Sequence, residues 1–238
     1  MPARTPRRRQ NGPSGKPSPV PSPHTEATPP SRIPSGARAE AKRAAILAAA
    51  REGFLAHGFG VNLDRIAELA DVSKVTIYNH FGNKETLFLT VIDVALSEAL
   101  DDAQTYLTTV VADSTDLRAD LITACRVWVT RIGSPELLQL RNAVVGELRQ
   151  IPALATEWSK KGPERFHPML AMALRSQVQR GRLSIPDIDL AVLQLSGLVL
   201  SPIQVYGAYG NPPTVKRVEQ LITSGVDMFL SYYGYQDC

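Results

Sequence analysis

The stretch from Ser73 to Lys84 carries polar, cationic and aromatic side chains at a spacing that suits hydrogen bonding to a large charged partner. On a helical wheel of 100° per residue, four of them share one arc of about 140°. These four are Lys74, Val75, Tyr78 and Asn79. Ile77 and Phe81 point to the opposite side, so one face of the predicted helix would be buried. The other face offers a cation, an apolar group for a thymine methyl, a phenol and an amide that pairs with adenine, which is the chemistry of reading DNA base edges.

The elements that must position these side chains follow from caps and breaks in the flanking sequence. Ser73 is a strong N-cap residue, and the free N–H groups of a helix N-terminus bind phosphate. Helices are predicted over about residues 38–57, 63–70 and 74–80, with Asn62 as the N-cap of the second and a fourth helix running from Lys84 toward Val110. Two short helices joined by a turn of about three residues form a helix-turn-helix, whose second helix enters the major groove.

The rest of the chain is predicted to be helical, so the fold class is all-α. Breaks at 113–115, 133–135, 151–152, 162–163, 181 and 211–213 divide it into about five further helices, without the alternation that strands require. Residues 190–215 contain no charged side chain and are numerous enough to span a bilayer. Polar residues and prolines interrupt them, so we predict a helix buried in a subunit interface and no membrane span.

Positive charge is concentrated at the N-terminus, although the whole chain has a net charge of only +3. Residues 1–35 carry six basic residues against Glu26, whereas residues 36–86 and 87–238 have net charges of +1 and −3. The first segment is rich in Pro and Ser and has almost no large apolar side chain, which predicts a disordered basic arm. Its Arg7–Arg9 run is either a solvated tail or an arm that follows the DNA backbone or minor groove.

Features that would indicate an enzyme are missing from the sequence. Its four histidines are scattered, and it has no nucleophile motif and no phosphate-binding loop. We therefore predict no catalytic activity, no cofactor and no metal. The two cysteines, Cys125 and Cys238, form no disulfide framework, which favours a reducing cytoplasm. The N-terminal arginines are not followed by an apolar run, which argues against a secretory signal.

The run NLDRIAELADVSKVTIYNHFGNKETLFLTVI (residues 62–92) resembles the DNA-binding domain of the tetracycline-repressor (TetR) family, and the resemblance covers about residues 40–92. The family signature ends in Tyr, a variable residue, His-Phe and then a Lys that opens the fourth helix. The resemblance implies a dimeric, all-helical transcription regulator, usually a repressor, in which a small molecule bound by the C-terminal domain changes the spacing of two DNA-reading heads. Base contacts would come from Lys74, Val75, Tyr78 and Asn79, and phosphate contacts from Ser73, Thr76, His80 and Lys84.

Two positions depart from the family pattern. Asp71 stands at the turn where the family most often has Gly, and Asp tolerates the left-handed backbone region better than most residues. Asn62 and Arg65 replace the Thr and the acidic residue that would form a reciprocal capping box. We expect a slightly less stable second helix and an unchanged fold.

The C-terminal part is similar to one family type in layout, with the last two helices forming a four-helix bundle across a dimer. These helices carry more apolar surface than one subunit needs, and a twofold interface would bury it. The predicted interface residues are Leu190, Leu193, Leu198, Val205, Val218, Leu221, Ile222, Val226 and Phe229. The predicted domains are the arm (1–35), the helix-turn-helix domain (36–86) and a domain for effector binding and dimerisation (87–238).

Aromatic and flexible side chains in that last domain are candidates for an effector pocket, although the same side chains also suit an ordinary core. They are Trp128, Trp158, Phe166, His167, Met169 and Met172. The sequence thus predicts a homodimeric, ligand-responsive regulator whose partners are a near-palindromic DNA operator and a small-molecule effector, with no membrane partner. Two alternatives stay open, namely an activator and a helical small-molecule-binding or protein-interaction module with a vestigial helix-turn-helix.

Overall fold

The computed structural model describes residues 34–235, which form ten α-helices and no strand. The predicted arm falls outside the described residues apart from Pro34 and Ser35. The helices are α1 (Ala37–His57), α2 (Leu63–Leu69), α3 (Lys74–Phe81), α4 (Lys84–Thr109), α5 (Leu117–Ile132), α6 (Pro135–Glu147), α7 (Ala153–Lys161), α8 (Pro163–Gln179), α9 (Ile188–Ala208) and α10 (Val215–Tyr232). The all-α prediction is confirmed. Every predicted break lies at a helix boundary, but six helices follow α4, not five, because six breaks separate seven segments.

Side-chain caps fix where the first helices begin. Asn62 Oδ1 accepts a hydrogen bond from the Asp64 amide at 3.0 Å, and Ser73 Oγ accepts one from the Thr76 amide at 3.1 Å. Asn83 Oδ1 caps α4 by the same type of bond at 2.7 Å. Each cap satisfies an amide that a helix N-terminus leaves without a partner, so the short helices α2 and α3 have defined starts despite their length. The predicted N-caps Asn62 and Ser73 are confirmed.

The buried apolar side chains form two cores that share α4. The first joins α1, α2, α3 and the start of α4 with α6, and the rings of Phe54 and Phe88 meet there at 4.7 Å between centroids. The second core lies among the later part of α4 and α5, α8, α9 and α10, and in it Trp128 stacks on Phe166 at 4.3 Å between centroids. Since α4 contributes to both cores, it is the helix that connects the N-terminal helices with the C-terminal ones.

Arg51 ties α1 to two helices of the C-terminal part. Its Nη1 lies 2.9 Å from Glu98 Oε2 on α4, and its Nε donates to Glu136 in the first turn of α6. The hydrogen bond to Glu136 raises the pKa of Arg51, with a smaller contribution from the bond to Glu98. The three side chains are partly exposed, so each ion pair contributes about 0.2–1 kcal/mol, and its main effect is to orient α1 against α4 and α6.

A buried group of polar contacts holds the end of α8 against the connection between α4 and α5. Gln177 Nε2 donates to the carbonyls of Val111 and Ala112 at 2.7 and 3.0 Å. Arg182 donates to the carbonyl of Thr115 at 3.1 Å. These bonds satisfy carbonyls that the tight connection leaves free, because a buried backbone acceptor without a partner is costly. They also fix α8, which forms a wall of the cavity described below.

Gly133 lets the end of α5 approach α9 closely. A Cβ atom at this position would lie 2.7 Å from Ile203 Cγ2 and 2.8 Å from the carbonyl oxygen of Val129. We expect Gly133→Ala to lower the free energy of unfolding by about 1–3 kcal/mol through overpacking, measured by urea denaturation. Gly146→Ala on α6 is the matched control, since a Cβ there meets nothing within 4 Å and the helix gains up to about 1 kcal/mol. Equal effects of the two substitutions would contradict the close contact.

Candidate DNA-binding interface and ligand cavity

The turn between α2 and α3 has the geometry of a helix-turn-helix. Asp71 adopts a φ of 51°, in the left-handed region, as its position at the turn predicts. The Asp71 amide bonds to the Glu68 carbonyl at 3.2 Å, and the Val72 amide bonds to the Ala67 carbonyl at 3.0 Å. The chain therefore reverses within three residues before Ser73 starts α3, so the two helices are held at a fixed angle.

The recognition helix α3 has one buried face and one exposed face. Ile77 is 1% exposed and Phe81 is 5% exposed, and both belong to the first core. On the other side, Val75 is 65% exposed, Tyr78 is 38% exposed, and Asn79 is also exposed. We call Lys74, Val75, Tyr78 and Asn79 the reading face. Its exposed amide, phenol and methyl groups are free to meet the edges of bases, as sequence spacing alone suggests.

Two cations, Lys74 of the reading face and Lys84 at the start of α4, are engaged in contacts within the protein. Lys74 Nζ lies 3.1 Å from Asp64 Oδ2 in the first turn of α2. Lys84 Nζ lies 4.7 Å above the ring of Phe59, and burial lowers its pKa. Because both contacts are intramolecular, a phosphate or a base that recruits either lysine must first displace or reshape that contact.

A polar cleft of about 370 Å³ separates the start of α1 from α3. Arg38 and Lys42 line it from α1, and Thr76, Asn79 and His80 line it from α3. Neither Arg38 nor Lys42 forms an ion pair with any other residue between 34 and 235. Sequence analysis did not single out these two cations, although their separation of four residues on a helix places them on one face.

His80 is the most buried of the predicted phosphate-contact residues. It is 7% exposed, and its Nδ1 atom has no hydrogen-bond partner among the described residues. Burial lowers the pKa of His80, and the positive charges of Arg43 and Lys42 lower it further. The ring is therefore neutral at pH 7. Ser73 is exposed and Thr76 half-buried, and their hydroxyl oxygens lie 2.8 Å apart at the start of α3.

A second feature is a cavity of about 240 Å³ bounded by α4, α5, α7, α8 and α9. Four of the predicted effector residues line it, namely Trp128, Trp158, Phe166 and His167. Met169 and Met172 do not: Met169 is outside its lining, and Met172 is 60% exposed on α8. On α8, the cavity is lined by Pro163, Phe166 and His167, which share another side of the helix from Met172. The sequence did not predict Leu96 and Leu100 on α4 or the lining residues on α9. No sequence pattern distinguishes a residue that lines a cavity from one that is buried in a core.

The last two helices expose a large apolar surface. On α9, Leu190, Leu193 and Val205 are 48%, 58% and 49% exposed. A groove of about 670 Å³ continues this surface between α9 and α10, lined among others by Leu198, Met228 and Tyr232. In the described part of the chain, α9 is also the one helix long and apolar enough to cross a membrane by length and composition, a test that core helices of soluble proteins also pass.

The nine predicted interface residues fall into two groups. Leu198, Val218 and Leu221 are partly buried and, together with the exposed leucines and valine of α9, remain accessible to a partner. Ile222, Val226 and Phe229 are at most 2% exposed and pack inside the protomer's own core, so they face no partner. The reason is that α10 packs its apolar stripe on α9 and α5 of the same chain. No group of three potential metal ligands occurs among residues 34–235.

Comparisons with known proteins match the N-terminal and the C-terminal parts of the chain separately. The family model for bacterial regulatory proteins of the tetR family matches residues 46–91, and the model for the AefR-like transcriptional repressor C-terminal domain matches residues 119–235. The HTH-type transcriptional regulator RutR of Escherichia coli K12 is 47% identical over 53 residues, which are 22% of this chain and 25% of RutR. The match thus spans about a quarter of the length of that curated relative.

Similar solved structures extend over most of the described residues. A TetR-family regulator from Mesorhizobium loti MAFF303099 has a TM-score of 0.77 at 27% identity, covering 83% of this chain and 99% of its own. A TetR-family regulator from Pseudomonas syringae pv. tomato DC3000 has a TM-score of 0.65 at 28% identity, covering 81% and 96%. The flavonoid-responsive regulator FrrA has a TM-score of 0.64 at 27% identity, covering 80% and 96%.

The buried, neutral His80 makes the stability of the fold depend on pH. Its pKa is lowered in the folded state, so below about pH 6.5 the unfolded chain binds a proton that the folded chain resists. The stabilisation is complete above that pH and is lost as the pH falls through the lowered pKa. Between about pH 7 and pH 5, we expect the free energy of unfolding to fall more in the wild type than in His80→Gln, measured by urea denaturation. His167, whose pKa is also lowered by burial, is retained in both proteins and cancels. Parallel pH profiles would contradict the neutral, buried state of His80.

Proposed function

The chain belongs to the TetR family of transcriptional regulators, and on that basis we propose that it is a cytoplasmic repressor that binds a near-palindromic operator as a homodimer and is released by a small-molecule effector. Binding of DNA through a helix-turn-helix follows from the family. Repression, dimer geometry and response to an effector are the proposed parts.

The observation that carries the proposal is the division of α3 into two faces. Because Ile77 and Phe81 are buried, the reading face must point outward, and Val75, Tyr78 and Asn79 are exposed there. We propose that these side chains and Lys74 contact bases in the major groove. Ser73, Thr76 and Lys84 contact phosphates at the edges, and Arg38 and Lys42 add positive charge beside them.

The neutral, buried His80 is better placed to support this interface than to neutralise a phosphate. His80 lines the cleft together with Arg38 and Lys42, but its Nδ1 atom is buried and has no partner among the described residues, so contact with DNA would fall to the other ring nitrogen. We therefore keep His80 in the phosphate-contact set as a neutral donor of one N–H hydrogen bond and not as a cation.

A homodimer is supported by the apolar surface of α9 and α10. A monomer would expose Leu190, Leu193, Val205 and the groove lined by Met228 and Tyr232 to water. A twofold interface through these helices buries that surface and sets the two copies of α3 at a fixed spacing, which a near-palindromic operator matches.

Effector response is supported by the position of the cavity on α4. Leu96 and Leu100 line the cavity, and the same helix starts at Lys84, directly after α3. A ligand that prefers a slightly different placement of α4 would shift the population toward a head spacing that no longer fits DNA. The similarity to a regulator named as flavonoid-responsive, over 80% of this chain, supports a small-molecule response here.

Substitution of Tyr78 tests the reading face. We expect Tyr78→Ala to weaken binding to the operator by about tenfold or more and to remove the preference over scrambled duplex. The measurement is fluorescence anisotropy at about 0.15 M salt, where non-specific electrostatic binding is weak, using the DNA upstream of the protein's own gene and of neighbouring genes.

Met172→Ala is the matched control, because Met172 is 60% exposed on α8, outside the helix-turn-helix, the cavity lining and the apolar surface of α9 and α10, and should leave DNA binding unchanged. Equal binding of the wild type to every duplex would contradict sequence-specific regulation and favour an interaction module with a vestigial helix-turn-helix. Full affinity in Tyr78→Ala would contradict the assigned reading face.

A further inference from the structure

The walls of the ligand cavity are largely aromatic and aliphatic. The rings of Trp128 and Phe166 stack with 4.3 Å between centroids and 19° between planes, and Trp158 also lines the cavity. Leu96 and Leu100 complete the apolar part. Flat aromatic walls favour a flat ligand, because ring faces pack with little void and offset stacking adds to the burial of area.

Polar groups in the cavity are few and uncharged. No Asp, Glu, Lys or Arg is in its lining as far as the described residues go. Ser196 donates to the Val192 carbonyl at 2.7 Å, whereas Ser201 and Gln204 form no hydrogen bond with another described residue. His167 has a pKa lowered by burial and is neutral at pH 7. An ionic ligand would therefore lose its hydration without gaining an opposite charge.

The flat apolar walls, the uncharged polar groups and the volume of the cavity together define a ligand class. A dry cavity of about 150 Å³ holds benzene, so 240 Å³ accommodates about two fused rings. We propose that the effector is an uncharged bicyclic aromatic compound whose hydrogen-bonding group meets Ser201 and Gln204 on α9. This inference rests on the proposed effector response and narrows it to one chemical class.

Three probes of nearly equal size test the class at pH 7 by isothermal titration calorimetry on the full chain. They are 2-naphthol, which is neutral, 2-naphthoate, which is an anion, and 2-naphthylmethylamine, which is a cation. We expect 2-naphthol to bind at least about tenfold more tightly than either ion, because burial of an unpaired charge is costly. Similar affinities for all three, tighter binding of an ion, or no binding of 2-naphthol at 1 mM would overturn the proposal.

A substitution that adds a cation to the cavity should change which of the three probes binds most tightly. Gln204→Lys places a cation at the polar edge of the cavity, so 2-naphthoate should become the preferred probe. Gln179→Lys makes the same change at an exposed position of α8 outside the cavity and should leave the preference for 2-naphthol intact. Anisotropy with operator DNA in parallel separates the two proposals, since probe binding without release of DNA contradicts the effector role but not the ligand class.

A different observation concerns the mouth of the cavity. Among its lining residues, Gly197 and Ser201 are exposed on α9, and they lie between Leu193 and Val205 at a spacing of four residues. Residues four apart share one face of a helix. The mouth therefore opens in the middle of the apolar stripe that forms the proposed dimer interface.

The packing of a single protomer does not explain why position 197 is a glycine. It lies inside a helix, where Gly costs about 1 kcal/mol relative to Ala, and a Cβ atom there would meet nothing within 4 Å. Gly197 also lines the groove between α9 and α10. We infer that a second copy of the chain packs against Gly197 and closes the mouth, so that the ligand site is complete only in the dimer.

Replacing Gly197 tests this inference, which rests on the proposed homodimer. Gly197→Leu fits an isolated protomer but would clash with a partner lying over the mouth, so we expect sedimentation velocity to show dissociation of a dimer that the wild type forms. An unchanged dimer in Gly197→Leu would overturn the closure while leaving dimerisation intact. A monomeric wild type would contradict the dimer itself.

Ligand affinity of a separated protomer gives an independent readout. The double substitution Leu193→Glu and Val205→Glu adds charge to the exposed stripe without touching the cavity lining, and should produce a monomer that binds 2-naphthol about tenfold more weakly. Val145→Glu changes a residue of α6 that is 53% exposed and lies outside the stripe, and should remain a dimer with wild-type affinity. Wild-type affinity in the folded monomer would overturn the closure.

Discussion

The burial of Ile77 and Phe81 fixes the orientation of α3 and therefore which of its residues are exposed. Full burial of each large apolar side chain contributes about 2–3 kcal/mol, which is more than an eight-residue helix gains from its own hydrogen bonds and caps. Arg43 lies over the ring of Phe81 at 5.2 Å and adds a cation–π contact from α1. The rotation of α3 about its axis is thus set from inside the core, and it turns Val75, Tyr78 and Asn79 outward.

The helix α4 extends this constraint into the C-terminal part. Its 26 residues span about 39 Å, starting beside α3 and passing the cavity at its middle turns. Because it belongs to both cores, it cannot shift at one end without disturbing packing at the other. The ion pairs of Arg51 with Glu98 and Glu136 stabilise the packing of α1 against α4 and α6 at the surface. For the proposed effector response, this packed helix is the element that joins the cavity to α3.

Local signals predicted the N-terminal helices well, and long-range packing explains what the sequence could not supply. The caps Asn62 and Ser73 and the turn residue Asp71 act within four residues, so their roles follow from sequence. Ile222, Val226 and Phe229 follow an apolar period, but the period does not say whether α9 of the same chain or of a partner covers them. Met169 and Met172 were predicted from side-chain type alone. Whether a residue of α8 lines the cavity depends instead on the side of the helix on which it lies, and long-range packing decides which side faces α4 and α9.

The contact between Lys74 and Asp64 has a consequence for discrimination among DNA sequences. In the free protein, the ammonium group is already paired at 3.1 Å, and the pair is exposed enough to be worth about 0.2–1 kcal/mol. Any duplex that recruits Lys74 must outcompete this internal carboxylate, and the released Asp64 then repels nearby phosphates. A base edge that accepts a hydrogen bond from Lys74 compensates for that loss, whereas a mismatched site does not. For the proposed base contact, Asp64 is thus an internal competitor that lowers the affinity only of a duplex that recruits Lys74, and a duplex without a suitable acceptor leaves the pair intact.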